Sequence, residues 1–271
     1  MIDILTYPFM QRAFISGTII GLLCSIIGIY IVMRGLSFIG AGISHASFGG
    51  VALGFLLKIN PIITAAIFCI LTAWGITIVS GKEKLKEDTA IGIFFATTMA
   101  LGILFIGLTG NYNVDLFGYL FGSILSVGAF DLYISILLGL LILLLIVMFF
   151  KEFLFISFDP EGAEVSGLPV SFLRYLLLTL IALTIVLSMK IVGIILVSAL
   201  LVIPAASAYQ IAKGIRSLFI WSGIFCFFAV YCGLFLSYIF DTPSGATIVI
   251  LSAIVFFLIL LVKSAIKIRK S

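Results

Sequence analysis

Nine apolar runs, each close to the roughly twenty residues that a membrane helix needs, follow one another along the chain. They cover about 11–33, 39–57, 61–80, 88–109, 129–150, 171–189, 191–213, 217–240 and 244–266. The pattern predicts a polytopic, all-α bundle of eight or nine transmembrane helices, eight if one segment is re-entrant. The basic residues orient it. With the N-terminus outside, the cytoplasmic side receives Arg34, Lys82, Lys84, Lys86, Lys151, Arg174, Lys213, Arg216, Lys263, Lys267, Arg269 and Lys270. The outer side receives only Arg12, Lys58 and Lys190. That bias puts the C-terminus in the cytoplasm.

Three stretches break the apolar pattern. Residues 110–128 are too polar at their start to span. They read as an outer loop with Asp115 and a short helix whose Gly118 and Gly122 fall four apart. Residues 157–170 read as a two-turn helix in a cytoplasmic loop. Asp159 is its N-cap, Pro160 its first residue, Glu161 a first-turn acid, and Gly167 its terminator before Pro169. Gly162, Ala163 and Glu164 form its body, and a capped helix between spans has the form of a docking element. The third break, residues 241–245, predicts Asp241 as the N-cap of the last span, with Pro243 in its first turn.

Within the second run, residues 40–54 combine glycine, alanine and serine with the chain's one histidine. At helical spacing Gly42, Ala46, Gly50 and Gly54 make a smooth ridge for close helix approach. His45 has Ala41 and Gly49 one turn away on either side. An ionisable residue inside a span is a candidate functional site. A neutral imidazole there is either hydrogen-bonded within the bundle or a ligand for zinc, manganese or iron. Pro204, inside the seventh run, frees the carbonyl of Leu200 and predicts a kink or hinge, with Ser198 and Ser207 near enough to help.

Composition agrees with one embedded domain over 1–271: 63% of residues are hydrophobic and 10% charged. A soluble domain runs at about 25% charged. The net charge of +4 marks the cytoplasmic side rather than a nucleic-acid partner. Cys24, Cys69, Cys226 and Cys232 all lie in apolar runs and read as packing residues. The opening residues lack a basic n-region, so no cleaved leader is expected.

Residues 75–82, GITIVSGK, miss the phosphate-loop spacing, and Glu83 stands where Ser or Thr would hold magnesium. No nucleotide site and no resident cofactor are expected. A membrane enzyme using His45 with a nearby serine has only its base visible.

The segments GAGISHASFGGVALG at 40–54, EDTAIGI at 87–93 and NVDLFGYLFGSILSV at 113–127 resemble the bacterial zinc/manganese ABC-transporter permeases of the ZnuB-like type. So do GLPV at 167–170, MKIVGIILVSALLVIPAASA at 189–208 and FDTPSG at 240–245, in the same order. The resemblance implies an importer-type ABC permease fold in the bacterial plasma membrane, working as a homodimer. Each copy would dock a cytoplasmic ABC ATPase through the helix at 159–167. An extracellular or periplasmic binding protein would deliver zinc, or else manganese, to the outer face. ATP would be used by the partner. His45, Asp115 and Asp241 are the candidate metal residues of the pathway. Two departures stand out: Ala41 replaces a common aspartate, and Ala96 falls where related zinc permeases carry a second histidine. A siderophore or cobalamin cargo is the alternative, although such permeases tend to be longer.

Overall fold

The computed structural model describes residues 7–82, 85–109, 118, 122 and 128–268. Its helices are α1 (Pro8–Met33), α2 (Ile39–Leu57), α3 (Pro61–Lys82), α4 (Glu87–Thr109) and α5 (Ala129–Met148). They continue as α6 (Phe150–Phe158), α7 (Pro160–Val165), α8 (Val170–Val192), α9 (Ile194–Ile211), α10 (Ile215–Phe240) and α11 (Ser244–Ile268). All nine apolar runs are helices. Eight are long and apolar enough to cross a membrane, and the shorter apolar helix Leu196–Ile211 accounts for the ninth. This is a multi-pass, all-helical membrane bundle. GITIVSGK lies in α3, with no strand before it.

The architecture has two groups joined by a central helix. In one, α2 is wedged between α3 and α4. In the other, α1, α9, α10 and α11 pack together, and α5 lies against α1. Helix α8 touches α1, α2, α3, α5 and α9. Among the spans α1 and α2 are the most buried, whereas α4 and α11 are largely exposed. Helices with no polar face suit a surrounding that is apolar on all sides.

Lipid is as apolar as leucine, so helices in it associate by tight packing rather than by hydrophobic expulsion. The ridge of α2 supplies that packing. A β-carbon on Gly42 would come within 2.6 Å of Ile91 Cγ2 on α4. One on Gly50 would lie 2.5 Å from the Cα of Ala65 on α3, and one on Gly54 2.7 Å from the Cα of Pro61. Ala46, between them, is fully buried. The backbone of α3 therefore sits directly on that of α2.

Several expectations shift in detail. The fifth run ends at Met148, and a separate helix α6 follows across Phe149. Gly193, at φ +96°, divides α8 from α9. Helix α9 runs unbroken through Pro204. Ser207 there donates to the carbonyl of Ile203, not to the freed carbonyl of Leu200. Gly118 is helical but Gly122 has φ +68°, a left-handed position that a regular helix cannot include, so the two do not share one helix face. Three cysteines are buried, Cys232 is half-buried, and all four are free thiols.

The contrast between two glycines tests the wedge. Gly50→Ala forces a β-carbon against backbone and should destabilise the solubilised protein by about 1–3 kcal/mol, the usual cost of overpacking. Gly223→Ala on α10, with nothing within 4 Å of the new carbon, should leave the midpoint unchanged. Thermal unfolding in detergent measures both, and equal midpoints would refute the backbone contact.

Candidate functional site

His45 sits six residues into α2 and is half-buried. Its ring meets Phe95 of α4 edge to face, at 4.7 Å between centroids and 83° between planes. Its Nδ1 is buried and has no hydrogen-bond partner among the described residues. The expected alternative, an imidazole satisfied by a helix carbonyl, is therefore not what the bundle provides. The small ridge fixes α2 against α3 and α4, and the edge of Phe95 fixes the ring. What remains is one oriented imidazole with an uncommitted nitrogen. A β-carbon on Gly40, at the same end of α2, would lie 3.4 Å from the Cα of Ser198 on α9.

Asp115 lies outside the described residues. Asp241 is exposed, in the left-handed region at φ 50°, and ends α10 rather than starting α11. The N-cap expected of it therefore fails. The α11 start is secured instead by the carbonyl of Pro243, which accepts from Thr247 N–H and from its hydroxyl. Among the described residues no three His, Cys, Asp or Glu side chains gather in a way that could hold a metal ion. Helix α2 packs on α3, α4, α8 and α9, none of which carries an acid beside the imidazole. Ala96 of α4, next to Phe95, is exposed.

Helix α7, expected to be a docking element, forms as its caps require. Asp159 Oδ1 accepts from Gly162 N–H at 2.9 Å. Pro160 occupies the first turn, where its missing N–H costs nothing. At the other end Gly167 takes φ +84°. Its N–H donates to Glu164, and Leu168 N–H reaches back to Ala163. Ala163 is fully buried while Val165 is 90% exposed. The helix thus has an anchored face and a free apolar tip. Behind it, Phe153 of α6 stacks edge-on with Tyr30 of α1, which in turn meets Phe219 of α10. These rings link α6 to α1 and α10.

A charged cluster escaped the linear reading. Arg34 follows α1, where Gly35 at φ +69° turns the chain. Its Nη2 donates to both oxygens of Glu87, at 2.9 and 3.1 Å. Glu87 opens α4, where the helix dipole also favours an anion. Arg174 of α8 reaches the same carboxylate at 3.6 Å. Burial lowers the Arg34 guanidinium from its ordinary value, and Glu87 opposes that effect. One carboxylate therefore ties α1, α4 and α8 at the end of the bundle that holds the docking helix. In the sequence these residues appeared only as cytoplasmic charges and as part of EDTAIGI. The one available signal was an acid set among basic residues at a span's mouth.

Residues 6–263 match the ABC 3 transport family. The chain is 43% identical over 250 residues to the manganese import system permease protein ScaB of Streptococcus gordonii, covering 92% of this chain and 90% of that one. It is 40% identical over 255 residues to the manganese transport system membrane protein MntC of Listeria monocytogenes, covering 94% and 91%. It is 34% identical over 253 residues to the high-affinity zinc uptake system membrane protein ZnuB of Haemophilus influenzae, covering 93% and 97%. Among solved structures, PsaBC from Streptococcus pneumoniae in complex with Fab superposes at a TM-score of 0.84 and 41% identity, covering 95% and 93%. An inward-facing putative metal-chelate type ABC transporter superposes at 0.70 with 15% identity, covering 93% and 85%, which shows a shared fold alone.

The cluster's stability role is measurable. Glu87→Gln leaves two arginines facing each other and should cost about 2–3 kcal/mol, below the range for a fully buried pair because water still reaches this side chain. Adding Arg34→Met to Glu87→Gln should recover most of that loss, since removing both partners avoids an orphaned charge. Denaturation of the solubilised protein reads both, and a double variant no better than the single one would refute the pairing.

Proposed function

This chain belongs to the ABC 3 transport family, and we propose that it is the permease subunit of an ATP-driven importer of a divalent transition metal. The observation that carries the reading to a site is the buried, unpartnered Nδ1 of His45, the chain's one imidazole. Relatives named for manganese are more similar to this chain than the relative named for zinc, which favours manganese ahead of zinc. A sparse donor set also suits cargo that must be released, and manganese accepts oxygen donors readily.

On this reading a second copy of the chain supplies a second His45 about a two-fold axis. Asp115 is the acid proposed to share the pathway, and Asp241, exposed at an outer turn, is proposed to meet the ion at its mouth. The small-residue ridge of Gly42, Ala46, Gly50 and Gly54 keeps α2 rigid while the pathway opens, and Pro204 in α9 is the proposed bending point. Gly118 and Gly122 belong to the segment that follows Asp115. A cytoplasmic ABC ATPase docks on Asp159–Gly167, and its ATP cycle drives alternating access through the Phe153–Tyr30–Phe219 contacts. A separate metal-binding protein delivers the ion to the outer face. The basic ends of the helices support a cytoplasmic side for the docking helix and the C-terminus.

Uptake of radioactive manganese by cells carrying the complete transporter tests the reading. His45→Ala should lower uptake about tenfold or more at unchanged membrane expression, by analogy with the loss caused by weakening a metal site. Unchanged uptake would remove His45 from the pathway. Zinc competing better than unlabelled manganese would reverse the order of the two metals. Asp159→Ala should weaken the docking helix by about 0.5–2 kcal/mol. The expected readout is slower uptake with metal delivery intact and ATPase stimulation reduced; full stimulation would reject this helix as the coupling element.

A further inference from the structure

On the outside of the bundle, at its basic end, two adjoining recesses follow the seam between α3 and α8. The first is a polar notch of about 160 Å³, walled by Thr77, Gly81, Ser171 and Arg174. The second is an apolar groove of about 510 Å³, walled by Trp74, Phe172, Leu176 and Thr179. Ile78 and Tyr175 line both, so the two form one continuous cleft. The indole N–H of Trp74 donates to Thr179 Oγ1 at 2.9 Å, and its ring meets Tyr175 edge-on. The wall of the groove is thereby fixed.

We propose that this cleft binds an anionic phospholipid, with its phosphate on Arg174 in the notch and one acyl chain along Trp74 and Phe172. The charge demands an anion. Arg34 and Arg174 share the single carboxylate of Glu87, and Arg34 already holds both of its oxygens. Arg174 stands at 3.6 Å from it, beyond hydrogen-bond reach. Among the described residues Arg174 makes no hydrogen bond, and Arg34 Nη1 is buried without a partner. A phosphate in the notch meets Arg174 in a planar, two-pronged geometry that lysine lacks, with the Ser171 and Thr77 side chains beside it.

The groove decides between a lipid and a free anion. A free phosphate gains nothing from Trp74, Phe172 or Leu176, whereas an acyl chain leaving the notch has no other wall to follow. The outward row of α3 is Ile63, Ile67, Leu71 and Ile78, all exposed. These are large residues, not the small ones that close helix pairing in a membrane requires. The seam therefore faces lipid rather than another helix. Basic pockets between helices at the cytoplasmic side are where anionic headgroups bind, and Trp and Tyr sit at headgroup level. The proposal rests on membrane embedding and not on which ion is carried.

The chain has two tryptophans, so Trp221→Phe leaves Trp74 as the only indole reporter. The full chain carrying that change is reconstituted with phosphatidylglycerol or phosphatidylcholine brominated on the acyl chains, and quenching of Trp74 is titrated. Quenching by the anionic lipid should need about fivefold less lipid, the effect of one basic residue on one anionic headgroup. Arg174→Gln should bring the two lipids to parity. So should Ser171→Asp, which places an acid in the notch from an exposed position and does not touch the Glu87 pair. Parity in the parent chain, or a preference that survives both substitutions, overturns the proposal. Loss of the preference on adding glycerol phosphate also overturns it, in favour of a free-anion site. No metal or ATP enters the measurement, so its failure leaves the transport reading standing, and a failed uptake assay leaves the lipid site standing.

Discussion

Backbone contact along α2 sets the terms for the rest of the bundle. In a hydrocarbon solvent two helices gain little by hiding apolar side chains from each other, so they must touch closely or not at all. Gly50 and Gly54 let α3 approach so that main chain meets main chain, while Gly42 receives Ile91 from the other side. A helix held on two faces cannot rotate. The side chain between those faces, His45, therefore points in one direction, and Phe95 closes against its ring. The orientation of the one imidazole is thus a consequence of the glycines around it.

A different interaction governs the end where the docking helix lies. There the chain closes α1 with Gly35, opens α4 with Glu87 and begins α8 near Arg174, and one carboxylate joins all three. The short helix α7 is anchored in the same region by its buried Ala163, and α6 before it by the aromatic contact of Phe153 with Tyr30, next to that of Phe149 with Phe172. Charge and aromatic packing have separate jobs here. The carboxylate keeps the helix ends together, while the rings pack the elements against one another.

Much of this was legible in the linear chain because it depends on neighbours in sequence. Nine apolar runs gave nine helices, and the cap of α7 followed from Asp159, Pro160 and Gly167, whose partners lie within five residues. Asp241 was misread for a local reason: an acid between two helices can close one or open the next, and its left-handed backbone closes the first. Gly122 was misread in the same manner, since a glycine four residues from another fits a ridge or a left-handed turn equally well. The Arg34–Glu87–Arg174 cluster joins residues 53 and more positions apart, and no spacing rule reaches that far. The cleft between α3 and α8 was likewise invisible, because it is made by a gap between helices and not by any one motif.

An incomplete donor set is what alternating access requires of a single chain. A closed site of three or four strong ligands on one bundle would hold its ion through every conformation, since those ligands would move together. On the proposed reading His45 alone, with an open nitrogen and rigid packing behind it, would bind an ion weakly by itself. That affinity would then depend on donors from elsewhere, such as the proposed Asp115 or a second copy. On that reading, rigid packing at Gly42 and Gly50 and a poor ligand count are one design: the first would fix where half of a site stands, and the second would leave the other half to be supplied and withdrawn by movement.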